Sequence, residues 1–165
     1  MAITELFSSC QGIASLPLCA GLLIAAALDM RSRRVPNLLT VALLVGGLVA
    51  RGALGGFGEL AWGLGAALGA MIVLLVPFAK GWLGGGDVKL FVALAAWLGP
   101  KAFVTALVAA TLAGGVLAIA MLARRGRRAL SLREASRSGG VPYAVAIAIG
   151  GLLVVLRAGG LPGLG

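Results

Sequence analysis

Residues 60–89 read LAWGLGAALGAMIVLLVPFAKGWLGGGDVK, and this stretch decides the fold. Its first part, Leu60 to Ala79, contains no charged residue. As a helix rising about 1.5 Å per residue, it has a length of about 30 Å, which is the thickness of the hydrocarbon core of a bilayer. Three glycines and an aspartate, Asp87, follow after a short interval. The stretch therefore predicts a membrane helix, then irregular backbone, then a carboxylate at the membrane.

Similar apolar segments recur along the rest of the chain. Of its 165 residues, 61% are hydrophobic and only 12% are charged, too few to cover the surface of a soluble domain. We predict an all-α, polytopic membrane protein with a single domain, residues 1–165, and about six transmembrane helices. The predicted helices are 13–28, 38–50, 60–79, 88–98, 102–123 and 141–156.

The fourth predicted helix, 88–98, is only about 17 Å long and cannot cross the bilayer alone. We expect it to begin inside the membrane, with Gly84, Gly85 and Gly86 as irregular backbone before it. Such backbone is tolerated at that depth only where protein buries it or water reaches it. The nine residues Arg51 to Glu59 predict a glycine-rich turn between the second and third helices.

Small and aromatic residues predict packing and membrane anchoring. Gly65 and Gly69 form a GxxxG pattern, typical of membrane helices that pack closely. Three tryptophans near predicted helix ends fit an interfacial belt: Trp62, Trp82 and Trp97.

The cysteine and histidine content gives no sign of a metal site. The chain has two cysteines, Cys10 and Cys19, and no histidine. Their spacing fits no zinc site, so we interpret both as small apolar side chains and predict neither a metal nor an organic cofactor.

The basic residues predict the orientation. If the amino terminus lies outside, eleven lysines and arginines are cytoplasmic and three, Arg51, Lys101 and Arg157, are not. The positive-inside rule favours this arrangement, so the net charge of +9 indicates topology rather than a nucleic-acid partner. Glu5 and the lack of a basic start argue against a cleaved signal peptide. Both aspartates then lie at cytoplasmic helix ends.

Asp29 and Asp87 are the only aspartates, and each follows or precedes an apolar helix. Ionisable groups in membrane segments are costly and commonly functional. Two carboxyl groups held close can share a proton, so that one activates water while the other polarises a carbonyl. Structural interpretations remain open: Asp29 could pair with Arg33 one helical turn away, and Asp87 could cap a helix beginning at Val88.

The residues beside the aspartates suggest further roles. The glycines 84–86 allow a substrate strand to approach the backbone closely, and a phosphate-binding loop is excluded because its Gly-Lys-Ser/Thr ending is absent. Lys89 serves either as an interfacial anchor or as a residue that tunes Asp87 or holds substrate. Asn37, after Pro36, is predicted to cap the second helix.

Three stretches together resemble one family: DMRSRRVPN at 29–37, GGGDVK at 84–89 and VPYAVAI at 141–147. This combination is similar to the type IV prepilin peptidases, membrane aspartyl proteases with a GxGD motif. The resemblance implies an endopeptidase of the inner membrane that removes the leader of a prepilin at the cytoplasmic face, with Asp29 and Asp87 as the catalytic pair. The substrate-binding residues would be Gly84, Gly85, Gly86 and Lys89.

The same resemblance implies the partners: a prepilin or pseudopilin substrate, membrane lipid and the pilus assembly machinery, with no nucleic acid. The chain lacks the paired CxxC motifs of longer members, which carry a methyltransferase portion. It resembles the short form found in tight-adherence (Flp) pilus systems and the archaeal preflagellin peptidases. Methylation of the new amino terminus is not expected.

Two other classes of protein share part of this pattern. A proton-coupled transporter also contains membrane carboxylates and broken helices, but it should show an internal repeat, and none is convincing here. A non-catalytic pilus-assembly subunit of the membrane would use the aspartates only as cap and ion-pair partner.

Overall fold

The computed structural model of the chain describes residues 2–32, 35–125 and 143–159. Within these ranges the secondary structure is helical, without a strand, so the all-α prediction is confirmed. The elements are α1 (Ala2–Ser32), α2 (Asn37–Ala79), α3 (Gly85–Arg125) and α4 (Tyr143–Ala158). Three predictions lie wholly or largely outside the described residues: the Arg33 ion pair, a basic loop predicted at 124–137 and the start of the last helix at Val141.

The two long helices, α2 and α3, each fold back on themselves at one glycine. Gly56 and Gly99 both have φ of 72°, a conformation that side chains disfavour. The rings of Phe91 and Phe103 lie 6.3 Å apart across the second break, where a straight helix would separate them by about 18 Å. Arg51 and Glu59 pair across the first break, where a straight helix would separate them by about 12 Å. Both helices are therefore hairpins, so the four described elements contain six helical segments.

The boundaries differ from the prediction around the first break. The helix continues through the predicted turn at 51–59 and is interrupted only at Gly56. The predicted turn lies in this stretch but was predicted too long, because a single residue at positive φ reverses the chain and the other glycines remain helical.

The first segment of α3, Gly85–Leu98, is the centre of the bundle. From Leu90 to Leu98 nearly every side chain is buried, in contact with α2 on one side and α4 on the other. This segment measures about 21 Å, shorter than the bilayer core, as predicted for the fourth helix. Because neighbouring helices enclose it, a short helix is tolerated there.

The outer surface of the bundle is apolar. Large hydrophobic side chains are exposed on every long helix, for example Leu23, Ile72 and Ile119. Helical stretches 14–32, 37–79 and 85–120 are each long and apolar enough to cross a membrane, and α4 is a shorter apolar helix. The chain is therefore a multi-pass membrane protein.

Glycine permits close packing, but not in the motif predicted. Gly65 and Gly69 are exposed, with no atom near the position a Cβ would take, so the prediction for this GxxxG pattern was wrong within the described bundle. Gly47 instead lies against the ring of Trp97, and Gly150 against the backbone of α3. Glycines occur on several faces of these helices, and their spacing does not reveal which face is buried.

Arg51 holds the break in α3 in place. It is only 2% exposed, its guanidinium pairs with Glu59, and its Nε donates to the carbonyl of Trp97 at 3.1 Å. The end of a helical segment leaves carbonyls without helical partners, and Arg51 supplies donors there. It was predicted only as an external topology marker. We call residues 51–59 and 97–101 the arginine end of the bundle.

Trp97 joins the same end to α2. Its indole Nε1 donates to the carbonyl of Leu43 at 2.6 Å, and its side chain is 2% exposed. The prediction of an interfacial anchor was therefore wrong for Trp97, whereas Trp62 and Trp82 are exposed.

Candidate active site

The other end of the bundle collects six termini of the described helices. Because α2 and α3 are hairpins, both of their ends return to the side where α1 ends and α4 begins. We call residues 29–32, 35–40, 79–89 and 143–147 the aspartate end. The stretches 29–37 and 84–89, recognised in the sequence, both lie here.

Asp29 lies in the last turn of α1 and is only 8% exposed. Its carboxylate Oδ2 accepts a hydrogen bond from the backbone N–H of Ala144 at 3.1 Å. Ala144 is the second residue of α4, where N–H groups have no partner within the helix and a negative charge is favourable. Asp29 therefore caps a helix 115 residues further along the chain, a contact that the sequence does not reveal.

Asp87 is the third residue of α3, which begins at Gly85. Two of the three glycines are thus helical, and the prediction of a helix starting at Val88 was wrong. The half-buried carboxylate of Asp87 folds back and accepts a backbone hydrogen bond from Gly84. In a capping box, the side chain of the third helical residue accepts a hydrogen bond from the backbone N–H of the residue before the helix, as Asp87 does here from Gly84. The reciprocal bond is not possible because Gly84 has no side chain, so this is half of a capping box.

Gly84 makes room for that carboxylate. A Cβ at position 84 would lie 2.9 Å from Oδ2 of Asp87, closer than normal packing permits. A Cβ at Gly85 would meet Phe78 at an ordinary 3.5 Å, and one at Gly86 would meet Val35 at 3.9 Å. The first glycine is thus the one whose small size the conformation of Asp87 requires.

The two aspartates lie close enough for their carboxyl groups to interact electrostatically. They are separated by fifty-eight residues and by the whole α2 hairpin, yet the fold brings them to the same end of the bundle. Of the predicted site residues, Asp29, Asp87 and the three glycines therefore lie together.

Lys89 connects the two sequence stretches. Its Nζ donates to the side-chain oxygen of Asn37 at 2.9 Å, on the exposed side of the site. The prediction that Asn37 caps α2 was wrong: Pro36 occupies the cap position and no side chain caps the helix. Asn37 instead lies in the first turn, where its side chain is available to Lys89.

The connection between α2 and α3 is exposed and carries a cation–π contact. Nζ of Lys80 lies 4.8 Å from the centre of the Trp82 ring, and Gly81 between them has φ of 71°. In the part of the chain that the structure describes, no three histidine, cysteine, aspartate or glutamate side chains are grouped to hold a metal ion.

Residues 16–119, which include both aspartates and most of three helices, match the model of the type IV leader peptidase family. The chain belongs to this family. The match covers more than half of the chain and confirms the family resemblance seen in the sequence.

Relatives in this family carry the name prepilin leader peptidase/N-methyltransferase. The protein of Aeromonas hydrophila is 32% identical over 139 residues, covering 78% of this chain and 44% of the relative. That of Burkholderia pseudomallei strain 1026b is 37% identical over 117 residues, covering 65% of this chain and 37% of the relative. That of Xanthomonas campestris pv. campestris is 30% identical over 159 residues, covering 87% of this chain and 50% of the relative.

The chain thus spans half or less of the length of these relatives. No solved structure matched it.

Proposed function

We propose that this chain is a membrane aspartyl endopeptidase that removes the leader peptide from prepilin-like substrates. The observation that carries the proposal is the meeting of Asp29 and Asp87 at one end of the bundle, in a member of the type IV leader peptidase family. The relatives' name supplies the substrate class.

The chemistry needs only the two carboxyl groups and water. Two neighbouring carboxyl groups do not both ionise readily, so the pair shares a proton. The ionised carboxylate takes a proton from a water molecule while that water attacks the peptide carbonyl carbon. The protonated carboxyl group donates a hydrogen bond to the carbonyl oxygen. The roles reverse when the amine leaves. The pair titrates as a unit, so neither aspartate is assigned as the acid.

The glycines and Lys89 are proposed to hold the substrate. Gly85 and Gly86 present little more than backbone beside Asp87, where an extended peptide can approach. Lys89 lies two residues beyond Asp87 and offers a charged donor on the exposed side, currently bonded to Asn37. A substrate carbonyl can replace Asn37 as the acceptor.

We also propose that the aspartate end faces the cytoplasm, in the inner membrane. Arg31, Lys80 and Lys89 belong to the aspartate end, and Lys101 and Arg157 lie towards the other end, in line with the positive-inside rule. Single cysteines at Ser32 and Lys101, in a chain without Cys10 and Cys19, test this. A membrane-impermeant maleimide added to intact cells should label position 101 and spare position 32; the reverse pattern contradicts the orientation.

The decisive experiment for the activity uses purified protein in lipid with a prepilin encoded in the same genome. Mass analysis of the product identifies the new amino terminus. Asp29→Asn and Asp87→Asn should each lower the cleavage rate by about 10²–10⁴-fold, the usual contribution of a general acid or base. Ser32→Ala, one turn from Asp29 on the exposed surface, is the control and should cleave at nearly the normal rate.

The same variants separate catalysis from helix capping. Both aspartates accept backbone hydrogen bonds, which favours a structural role as the second candidate. Asparagine retains a side-chain oxygen that accepts such a bond, but it cannot exchange a proton. If the aspartates serve only as caps, the asparagine variants keep both their thermal stability and the wild-type cleavage rate, and the proposed aspartyl mechanism fails. If the wild-type chain itself does not cleave the prepilin, the peptidase proposal fails.

A further inference from the structure

An apolar groove of about 470 Å³ lies between α1 and the first segment of α2. One wall runs along α1 from Ala14 to Ile24, and the other along α2 from Leu39 to Ala50. The lining residues recur every three or four positions on both helices, so the groove runs parallel to the helix axes. Several of them are exposed, and the groove therefore opens on the lipid-facing surface.

The floor of the groove is apolar and well packed. Leu43 fills the space over Gly21, where α1 and α2 touch. The ring of Trp97 lies behind it, and its only polar atom, Nε1, donates to the carbonyl of Leu43. The floor therefore presents carbon rather than unsatisfied polar groups, and it suits an apolar occupant.

The position of the groove relates it to the aspartates. Ile24, at one end, precedes Asp29 by five residues, about 7 Å along the helix, and Leu39 follows Asn37 by two. Ala14 and Ala50, at the other end, lie about 15 Å deeper. One end of the groove thus lies between one and two helical turns from the candidate active site, and the other end lies in the membrane-spanning part of the bundle.

We propose that this groove holds the first turns of the apolar helix of the prepilin substrate. The inference rests on the proposed function and on the substrate that the family resemblance implies, a prepilin in which a long apolar helix follows the cleaved bond. That helix remains in the bilayer while the bond reaches Asp29 and Asp87, so it needs a surface leading away from the pair. Ten residues of helix match the length of the groove, and small residues on both walls, such as Ala20 and Ala42, allow close approach.

Filling the groove tests the proposal kinetically. Ala42→Trp places an indole in the groove, and Val41→Trp, at the same depth, places it on the neighbouring lipid-facing surface outside the groove. With the full-length prepilin, Ala42→Trp should raise KM about tenfold or more, equivalent to about 1.4 kcal/mol. A short peptide that ends soon after the cleaved bond should be cleaved equally by both variants. Equal KM values for the prepilin in the two variants would overturn the proposal.

Crosslinking tests occupancy without requiring cleavage. In an Asp87→Asn chain without Cys10 and Cys19, Ala42→Cys should form a disulfide with cysteines in the first ten residues of the prepilin's apolar segment, and Val41→Cys should not. Absence of this crosslink, with lipid filling the groove, overturns the inference; so does a crosslink between two copies of the chain instead. If the wild type fails to cleave but the crosslink forms, the proposed function is wrong and the groove assignment stands.

Discussion

The two ends of the bundle differ in the charges that they bring together. At the arginine end, a cation and a carboxylate pair, and the cation also donates to the carbonyl of Trp97. At the aspartate end, two like carboxyl groups interact electrostatically and accept hydrogen bonds from the backbone N–H groups of Ala144 and Gly84. Opposite charges joined in this way satisfy each other, so that losing one partner destabilises the fold, whereas like charges held together are a feature of sites that move protons.

The largest expected effect concerns the aspartate end. If the two carboxyl groups act as one unit, the double variant Asp29→Asn/Asp87→Asn should cleave no more than a few-fold more slowly than the worse single variant, because the residues of a catalytic unit are not additive. Single-turnover cleavage of the prepilin measures this. Losses that multiply would indicate two independent roles.

The arginine end should respond in stability rather than in chemistry. Arg51→Met leaves the partly exposed Glu59 and the carbonyl of Trp97 without this partner, which should cost about 1–3 kcal/mol. Thermal unfolding in detergent should show a marked fall in Tm, partly recovered in Arg51→Met/Glu59→Met. The fraction that remains folded should cleave at the normal rate; a fall in kcat without a fall in Tm would contradict the comparison.

The conformation of Asp87 provides a finer test. Gly84→Ala brings a methyl group against Oδ2 of Asp87, whereas Gly85→Ala makes only an ordinary contact with Phe78. A displacement of about 1 Å in a catalytic group can cost up to about 10²-fold. We expect Gly84→Ala to lower kcat by about 10–100-fold and Gly85→Ala to lower it far less, with similar Tm values. Equal kcat values for Gly84→Ala and Gly85→Ala would contradict this prediction, because they would show that catalysis tolerates a displaced Asp87 carboxylate.

The smallest effect is expected at the exposed edge of the site. Lys89→Gln should weaken cleavage by about five- to tenfold, since one hydrogen bond from a charged donor contributes about 1–1.5 kcal/mol when partly solvated. Lys101→Gln, at the arginine end, should have no effect. If the bond to Asn37 matters, Asn37→Ala should reduce cleavage and the double variant should be less than additive. If the losses in cleavage rate from Lys89→Gln and Asn37→Ala are additive, the two residues act independently and their hydrogen bond does not matter for cleavage.

The sequence by itself determined that this protein lies in a membrane and roughly where its helices begin and end. The apolar composition required a bilayer, and the predicted helix boundaries at 98–102 and before Asp87 divided the chain nearly as the structure does. Helix formation within a membrane depends on local composition and length, so these features are visible residue by residue. The two aspartates were identifiable because ionisable groups are rare in such segments.

Only the tertiary structure decided which distant groups meet. The bond from Ala144 to Asp29, the burial of Arg51 and Trp97, and the contact between Lys89 and Asn37 all join residues on different helical segments. These contacts depend on how each helix is rotated and where each hairpin turns. In a membrane both faces of a helix are apolar, so the sequence pattern does not mark which face is turned inward.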